Sequence, residues 1–176
     1  AIIVATLKEK GLEKGRIGIV GIGGMRTDWE GWVPFKTWDR VLGKLPDCSF
    51  EDVAAAFAEL ILVKSDEELS LVRRGSEILE QAGVEMVKAV APGVSEREVY
   101  TAFVRVLQEN GVFTPFQIMH SSPDTVSWGQ PPWLFNVGEP RVLQPGDVIL
   151  AEIFASIGGL ESQIQVAVAI PPVSSI

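Results

Sequence analysis

The sequence predicts an α+β protein in two parts, on three observations. Two Ser-x-x-Glu signatures, at Ser65–Glu68 and Ser95–Glu98, each precede apolar residues recurring at three- and four-residue steps, the mark of a capped amphipathic helix. Two β-branched runs near the C-terminus are joined by Gly158-Gly159, the mark of a β-hairpin. Ahead of these, residues 1–62 carry their own turn signals and read as a small α/β segment, with a boundary near Val63-Lys64.

Ala1 to Lys10 reads as the end of a helix closed by Gly11 and Gly15, followed by a short buried strand from Arg16 to Gly21 and a turn at Ile22-Gly23-Gly24. Gly21-x-Gly23 is not a dinucleotide fingerprint, because Arg26 stands where the third glycine belongs. Trp29 to Trp38 holds three of the five tryptophans and reads as a loop or helix start packed on its own domain. A helix around Phe35 to Leu45 and a strand-helix unit from Phe50 to Glu59 complete this part. The first capped helix presents Leu69, Val72, Ser76, Leu79, Gly83, Met86 and Val90 on one face and ends at Pro92-Gly93. The second presents Val99, Ala102, Phe103, Val106 and Leu107 and ends at Asn110-Gly111. A strand from Phe116 to Met119 and an irregular, Pro- and Trp-rich stretch from Ser121 to Gly138 lead into the hairpin.

Composition excludes several classes. A net charge of −8 and a pI near 4.7, with no local Lys/Arg cluster, argue against nucleic-acid binding, which depends on neutralising phosphates. No apolar run reaches the ~18 residues of a membrane span, and Ala1-Ile2-Ile3-Val4 lacks the basic flank of a signal peptide. The single cysteine, Cys48, cannot form an internal disulfide and fits a reducing, cytoplasmic setting. Its Pro-Asp-Cys-Ser surroundings read as a loop with no histidine near in sequence, so it is not read as a nucleophile. The first residue is Ala, inside what reads as a helix, and the last residues follow directly on a strand. The chain therefore reads as part of a longer protein.

The hairpin carries the chemistry. With its turn centred near Ile157 and Gly158, Glu152 falls opposite Gln163, and opposed residues share a face. That face then holds Leu150, Glu152 and Phe154 on one strand and Glu161, Gln163 and Gln165 on the other. Polar groups alternating on an otherwise apolar strand need partners in solvent, in a ligand or in each other. His120 is the only histidine, with an ordinary pKa suited to acid-base work; a hydrogen-bonded structural histidine at a strand end is the competing reading. The Ser-Glu pairs read as helix caps, and Asp147 in Pro145-Gly146-Asp147 as a turn residue binding backbone N–H groups. Trp128 and Trp133, flanking Pro131-Pro132, either wall a small apolar pocket or pack their own loop.

Lys64-Ser65-x-Glu67-Glu68-Leu69, Pro92-Gly93-Val94-Ser95-Glu96, Leu143-x-Pro145-Gly146-Asp147-Val148-Ile149 and the hairpin with Gly159-Leu160-x-Ser162-Gln163 resemble, in this order, the pita-bread family of creatinase, prolidase and Xaa-Pro aminopeptidases. The resemblance implies that residues 1–62 are the C-terminal part of a creatinase/prolidase-type N-terminal domain. Residues 63–176 are then the first half of a pita-bread catalytic domain whose second half lies beyond the chain. In the family's metallopeptidases the hairpin gives two Asp ligands eleven residues apart, the spacing of Glu152 and Gln163 here. A neutral amide replaces a bridging carboxylate poorly, since it brings no charge to offset two cations. The family's pocket histidine aligns with Gly129, and Gln165 departs from the family run as well. The resemblance therefore implies a divergent hydrolase acting on an amide, amidino or Xaa-Pro C–N bond without a standard metal pair and with no cofactor. Glu152 and His120 would carry proton transfer, and Gln163, Gln165, Trp128 and Trp133 would contact a small-molecule or short-peptide substrate. Two alternatives stay open: a catalytically silent peptide- or protein-binding module, and an Xaa-Pro metallopeptidase holding Mn, Co, Zn or Fe in an altered ligand set. The intact protein is expected to be a homodimer.

Overall fold

The computed structural model describes residues 2–21, 33–112, 116–123, 133 and 137–172. The chain divides into two compact units, Ala1–Lys64 and Ser65–Ile176. The expected turn at Ile22-Gly23-Gly24, Trp29, Trp32, Trp128 and Gly129 lie outside the described residues.

The first unit runs α1 (Ile2–Glu9), β1 (Arg16–Ile19), α2 (Phe35–Lys44), β2 (Ser49–Asp52) and α3 (Ala54–Leu62), with β1 and β2 paired in parallel. Its core is small: Val41, Leu45 and Ala54 are buried, and the Trp38 ring meets Phe50 edge-on at 5.0 Å. Cys48 is a free thiol donating to the Leu12 carbonyl oxygen at 3.1 Å.

The second unit runs α4 (Asp66–Ala89), α5 (Glu96–Glu109), β3 (Ile118–Ser122), β4 (Val148–Ile157) and β5 (Leu160–Ala169). Both helices start in complete capping boxes. Each serine, Ser65 or Ser95, accepts the N–H of the glutamate three residues on, and that carboxylate accepts the serine N–H. The three strands form one antiparallel sheet in the order β3-β4-β5. Ile149, Ala151, Ile153 and Ala155 of β4 are fully buried with Ile78, Leu79, Met86, Val99 and Phe103 of the helices. Each such side chain removed from water contributes about 1.5–3 kcal/mol for Leu, Ile or Phe. The buried face of α4 is Gly75, Ile78, Leu79, Ala82, Gly83 and Met86. Ser76, expected on that face, is exposed, its hydroxyl turned back to the Val72 carbonyl at 3.0 Å.

Two expectations for the sheet are corrected. The hairpin turn is the pair Gly158-Gly159, with φ of 60° and 81°, and Ile157 opposes Leu160. A two-residue loop with positive φ at both positions suits the twist of the strands and is open to glycine without strain. Glu152 therefore opposes Gln165, and Gln163 opposes Phe154. The register moves by two residues, so the shared face survives. The strand expected at Phe116–Met119 is instead Ile118–Ser122, because the chain leaves the ladder at Gln117. The fully buried Gln117 side chain takes over, donating to the Phe154 carbonyl at 3.0 Å and accepting the Phe154 N–H at 2.9 Å. His120 thus stands within a strand, not at a strand end.

Small residues on α4 admit β5. A Cβ added at Gly75 would lie 2.8 Å from the Ser162 Oγ, which donates to the Val72 carbonyl at 3.1 Å. Gly75→Ala is expected to destabilise the chain by about 1–2 kcal/mol, because overpacking and the lost hydrogen bond outweigh the ~1 kcal/mol gained in helix propensity. Chemical denaturation checks this, and Ser162→Gly in the same chain should relieve only the overpacking, since the hydrogen bond to the Val72 carbonyl stays lost. A Gly75→Ala chain as stable as the parent would contradict the packing.

Candidate functional site

Strand alternation separates two faces of the second unit's sheet. Met119, Ser121, Ile149, Ala151 and Ile153 point to the helices and are buried. The opposite face carries Ile118 beside Glu152 and Gln165 on one rung, and His120 beside Leu150 and Ala167 on the next rung of that face. Glu152 and His120, the two expected proton carriers, are thus diagonal neighbours on one face, both half-buried. Gln163 and Gln165 are exposed on β5. The Gln165 Nε2 donates to the Glu152 Oε1 at 3.5 Å, and among the described residues Glu152 has no cationic partner.

Register also places Glu161, which opposes Ser156. It shares the face but stands at the hairpin tip, four residues along the strand from Glu152, or about 13 Å.

The donor set can be tested against a pair of divalent cations. Two cations held a few ångströms apart need carboxylates that bridge them and offset their charge. Glu152 supplies one carboxylate, Gln163 and Gln165 supply neutral amides, and Glu161 is too far along the strand to share an ion with Glu152. Among the described residues no three His, Cys, Asp or Glu side chains converge as a metal site. The residues of this hairpin do not fit a two-metal pair.

On the side of β3 away from β4 lies a cleft of about 580 Å³, lined by Glu96, Arg97, His120, Ser121, Trp133, Val137, Gly138, Glu139, Pro140 and Arg141. It brings His120 and Trp133 together, two of the expected site residues. The Trp133 ring stacks on Tyr100 at 5.4 Å, and the Trp133 backbone N–H donates to the Gln117 carbonyl at 2.8 Å. Burial pushes the Tyr100 hydroxyl above its ordinary pKa. The rim pair Arg97–Glu139, at 3.9 Å and well exposed, adds little.

Beneath the cleft is a polar network that the sequence pattern did not announce. Glu96, almost wholly buried, accepts the Ser121 N–H and O–H at 3.0 and 2.6 Å and the Arg141 N–H at 3.3 Å. The Arg141 guanidinium donates to the Ser121 Oγ at 3.2 Å and grips both oxygens of Asp147, one at 2.7 Å. Asp147 also accepts the Gln144 N–H at 2.6 Å. The hydrogen bonds from Arg141 first, then those of the Gln144 backbone, hold the Asp147 carboxyl below its usual range against the cost of its burial. Asp147 therefore joins a turn and a guanidinium to the root of β4. The signal for Glu96 was present, since positions 96, 99 and 103 share the buried stripe of α5.

Comparison with known proteins follows the same lines. The family model for metallopeptidase family M24 matches residues 70–175. A creatinase of Bacillus sp. (strain B-0618) is 30% identical over a 128-residue alignment that covers 68% of this chain and 30% of that protein. Among solved structures, the X-Pro aminopeptidase from Thermotoga maritima MSB8 superposes with a TM-score of 0.72 at 20% identity over 99% of this chain and 46% of that one. The prolidase from Pyrococcus horikoshii OT3 superposes with a TM-score of 0.71 at 20% identity, covering 96% and 45%. These structural likenesses concern the fold. The chain spans under a third of the creatinase and just under half of the two solved structures.

Proposed function

The chain belongs to metallopeptidase family M24, and on that premise we propose that the intact protein is a creatinase- or Xaa-Pro-peptidase-type hydrolase working without the dinuclear metal pair. Residues 1–62 are the C-terminal part of its N-terminal domain, and residues 63–176 are the first half of its pita-bread domain. Its substrate is a small molecule or short peptide with an amide, amidino or Xaa-Pro C–N bond. One observation carries the reading: around Glu152 the hairpin face offers one carboxylate and two amides, with Glu161 about 13 Å along the strand, where a bridged pair of cations needs more negative charge.

In this reading Glu152 accepts a proton from water, and the hydroxyl adds to the carbonyl or amidino carbon. The C–N bond breaks as the nitrogen leaves with a proton from His120, and the proton held by Glu152 then passes through solvent to His120, which returns both groups to their starting states. The Gln163 and Gln165 amides hydrogen-bond the substrate, and Trp133 walls its apolar part. The intact protein is cytoplasmic and a homodimer. A second reading, a silent peptide-binding module, is favoured by the Gln165–Glu152 contact at 3.5 Å, which gives the carboxylate a partner within the protein.

Metal analysis and turnover on the intact polypeptide test the proposal together. The expected result is less than one equivalent of Mn, Co, Zn or Fe per chain, and C–N hydrolysis that survives exhaustive chelation. Two bound equivalents whose removal abolishes hydrolysis would establish the altered metallopeptidase instead. No hydrolysis of any amide, amidino or Xaa-Pro substrate, with retained peptide binding, would establish the module.

A further inference from the structure

We propose that Glu96 is the positioning residue for His120, an inference that rests on the reading of His120 as a proton carrier. β3 is an edge of the described sheet, paired only with β4. On such an edge alternate N–H groups face away from the neighbouring strand and need another partner. The Glu96 carboxylate stands where a further strand would pair. Its Oε1 takes the Ser121 N–H at 3.0 Å and the Ser121 O–H at 2.6 Å, while its Oε2 takes the Arg141 N–H at 3.3 Å.

The Ser121 hydroxyl is fixed from both sides, since its oxygen also accepts from Arg141 at 3.2 Å. His120 is the preceding residue on the same strand and points to the opposite face. Its ring has no hydrogen-bond partner among the described residues, so among them its direction rests on the strand backbone and on packing. Clamping the N–H of Ser121 fixes the peptide that joins the two residues, and with it the Cα–Cβ direction from which the imidazole extends.

Capping of α5 does not require Glu96. The start of α5 is held by Ser95 and Glu98, whose capping box is complete without Glu96. A carboxylate almost wholly out of water is costly unless its oxygens are filled, and here three donors fill them, two from the residue next to His120. The carboxylate at this first helical position is thus spent on β3 and on residue 141, not on the helix.

The test uses the intact polypeptide and a double-mutant cycle. Glu96→Gln keeps the side-chain size and one acceptor oxygen but sets an amide N–H against the Arg141 N–H. It is expected to lower kcat by about 10- to 100-fold, the usual cost of a misplaced reacting group, with KM nearly unchanged. In a His120→Gln background the same substitution should change kcat by less than about twofold, because the group it positions is gone. The imidazole NMR signals of His120, assigned by their loss in His120→Gln, should broaden or split in Glu96→Gln. Ser121→Ala, which keeps the N–H contact, should produce the same change to a smaller degree and provides a second variant if Glu96→Gln folds poorly. Equal losses of kcat in both backgrounds, with unchanged His120 signals, would overturn the proposal. If His120→Gln retains full turnover, the proton-carrier reading falls, and the NMR signals alone then decide whether Glu96 aims the ring.

Discussion

Replacing Asp147 by alanine is expected to lower the unfolding free energy by about 3 kcal/mol, the low end of what breaking a buried ion pair costs. Asp147 is 1% exposed, and both of its carboxylate oxygens are occupied by Arg141, with the Gln144 N–H as a further donor. Its backbone is engaged too: the Asp147 carbonyl accepts the Ile170 N–H and its N–H donates to the Gln144 carbonyl. Alanine removes the anion and leaves a guanidinium and a backbone N–H facing the space. Because the Arg141 side chain is one-third exposed, it regains some water, which keeps the loss from the upper end of the range. Asp147→Asn keeps the volume and one acceptor and should lie between the two chains. Urea denaturation reads all three, and an Asp147→Ala chain within about 0.5 kcal/mol of the parent would mean that the network contributes nothing to folding.

The same pair predicts a pH dependence. The folded-state pKa of Asp147 lies below its ordinary value of 3.8, with the Arg141 hydrogen bond the largest cause. A carboxyl whose pKa is depressed on folding contributes its stabilisation in full above the ordinary value. That contribution is lost as pH falls from about 3.8 through the folded-state pKa, because the unfolded chain then takes up the proton first. The parent chain should therefore lose stability over that acid interval more steeply than Asp147→Ala, and the two curves should converge at its lower end. Parallel curves would separate Asp147 from the acid response.

What could be read without coordinates was what local chemistry decides. Ser65–Glu68 and Ser95–Glu98 gave the starts of α4 and α5, because a capping box is a contact between a side chain and a backbone three residues away. The hairpin was legible for the same reason, yet its register was off by two. Centring the turn on Ile157-Gly158 overlooked that Gly158 and Gly159 together supply the two positive φ values of a tight turn. The face assignment survived because a shift of two preserves strand alternation. The limits of β3 were not legible, since they depend on a glutamine side chain standing in for backbone at Phe154, a contact 37 residues away in sequence. Nor was the Arg141–Asp147 pair, which closes a loop rather than a helix turn. Glu96 lay between these cases: its place on the stripe of Val99 and Phe103 was visible, but its partners Ser121 and Arg141 come from distant parts of the chain.

The largest effect on activity is expected at Glu152. Glu152→Gln keeps the shape of the side chain and its place between Ile118 and Gln165 while removing the basic oxygen. If Glu152 takes the proton from water, kcat for C–N hydrolysis by the intact protein should fall by about 10²- to 10⁴-fold, the usual contribution of a positioned general base, with KM little changed. Stability should move the other way or not at all. A half-buried carboxylate with no cation beside it among the described residues gains little from folding, and an amide pairs with the Gln165 amide as well as a carboxylate does. The signature is therefore a catalytic loss with an unchanged or slightly raised midpoint of unfolding. Glu161→Gln, at the tip of the same hairpin and about 13 Å along the strand, should leave both quantities near the parent. If Glu152→Gln retains turnover, the proton acceptor lies elsewhere in the intact protein; if Glu161→Gln matches its loss, the two carboxylates act on one centre and the register-based separation is wrong.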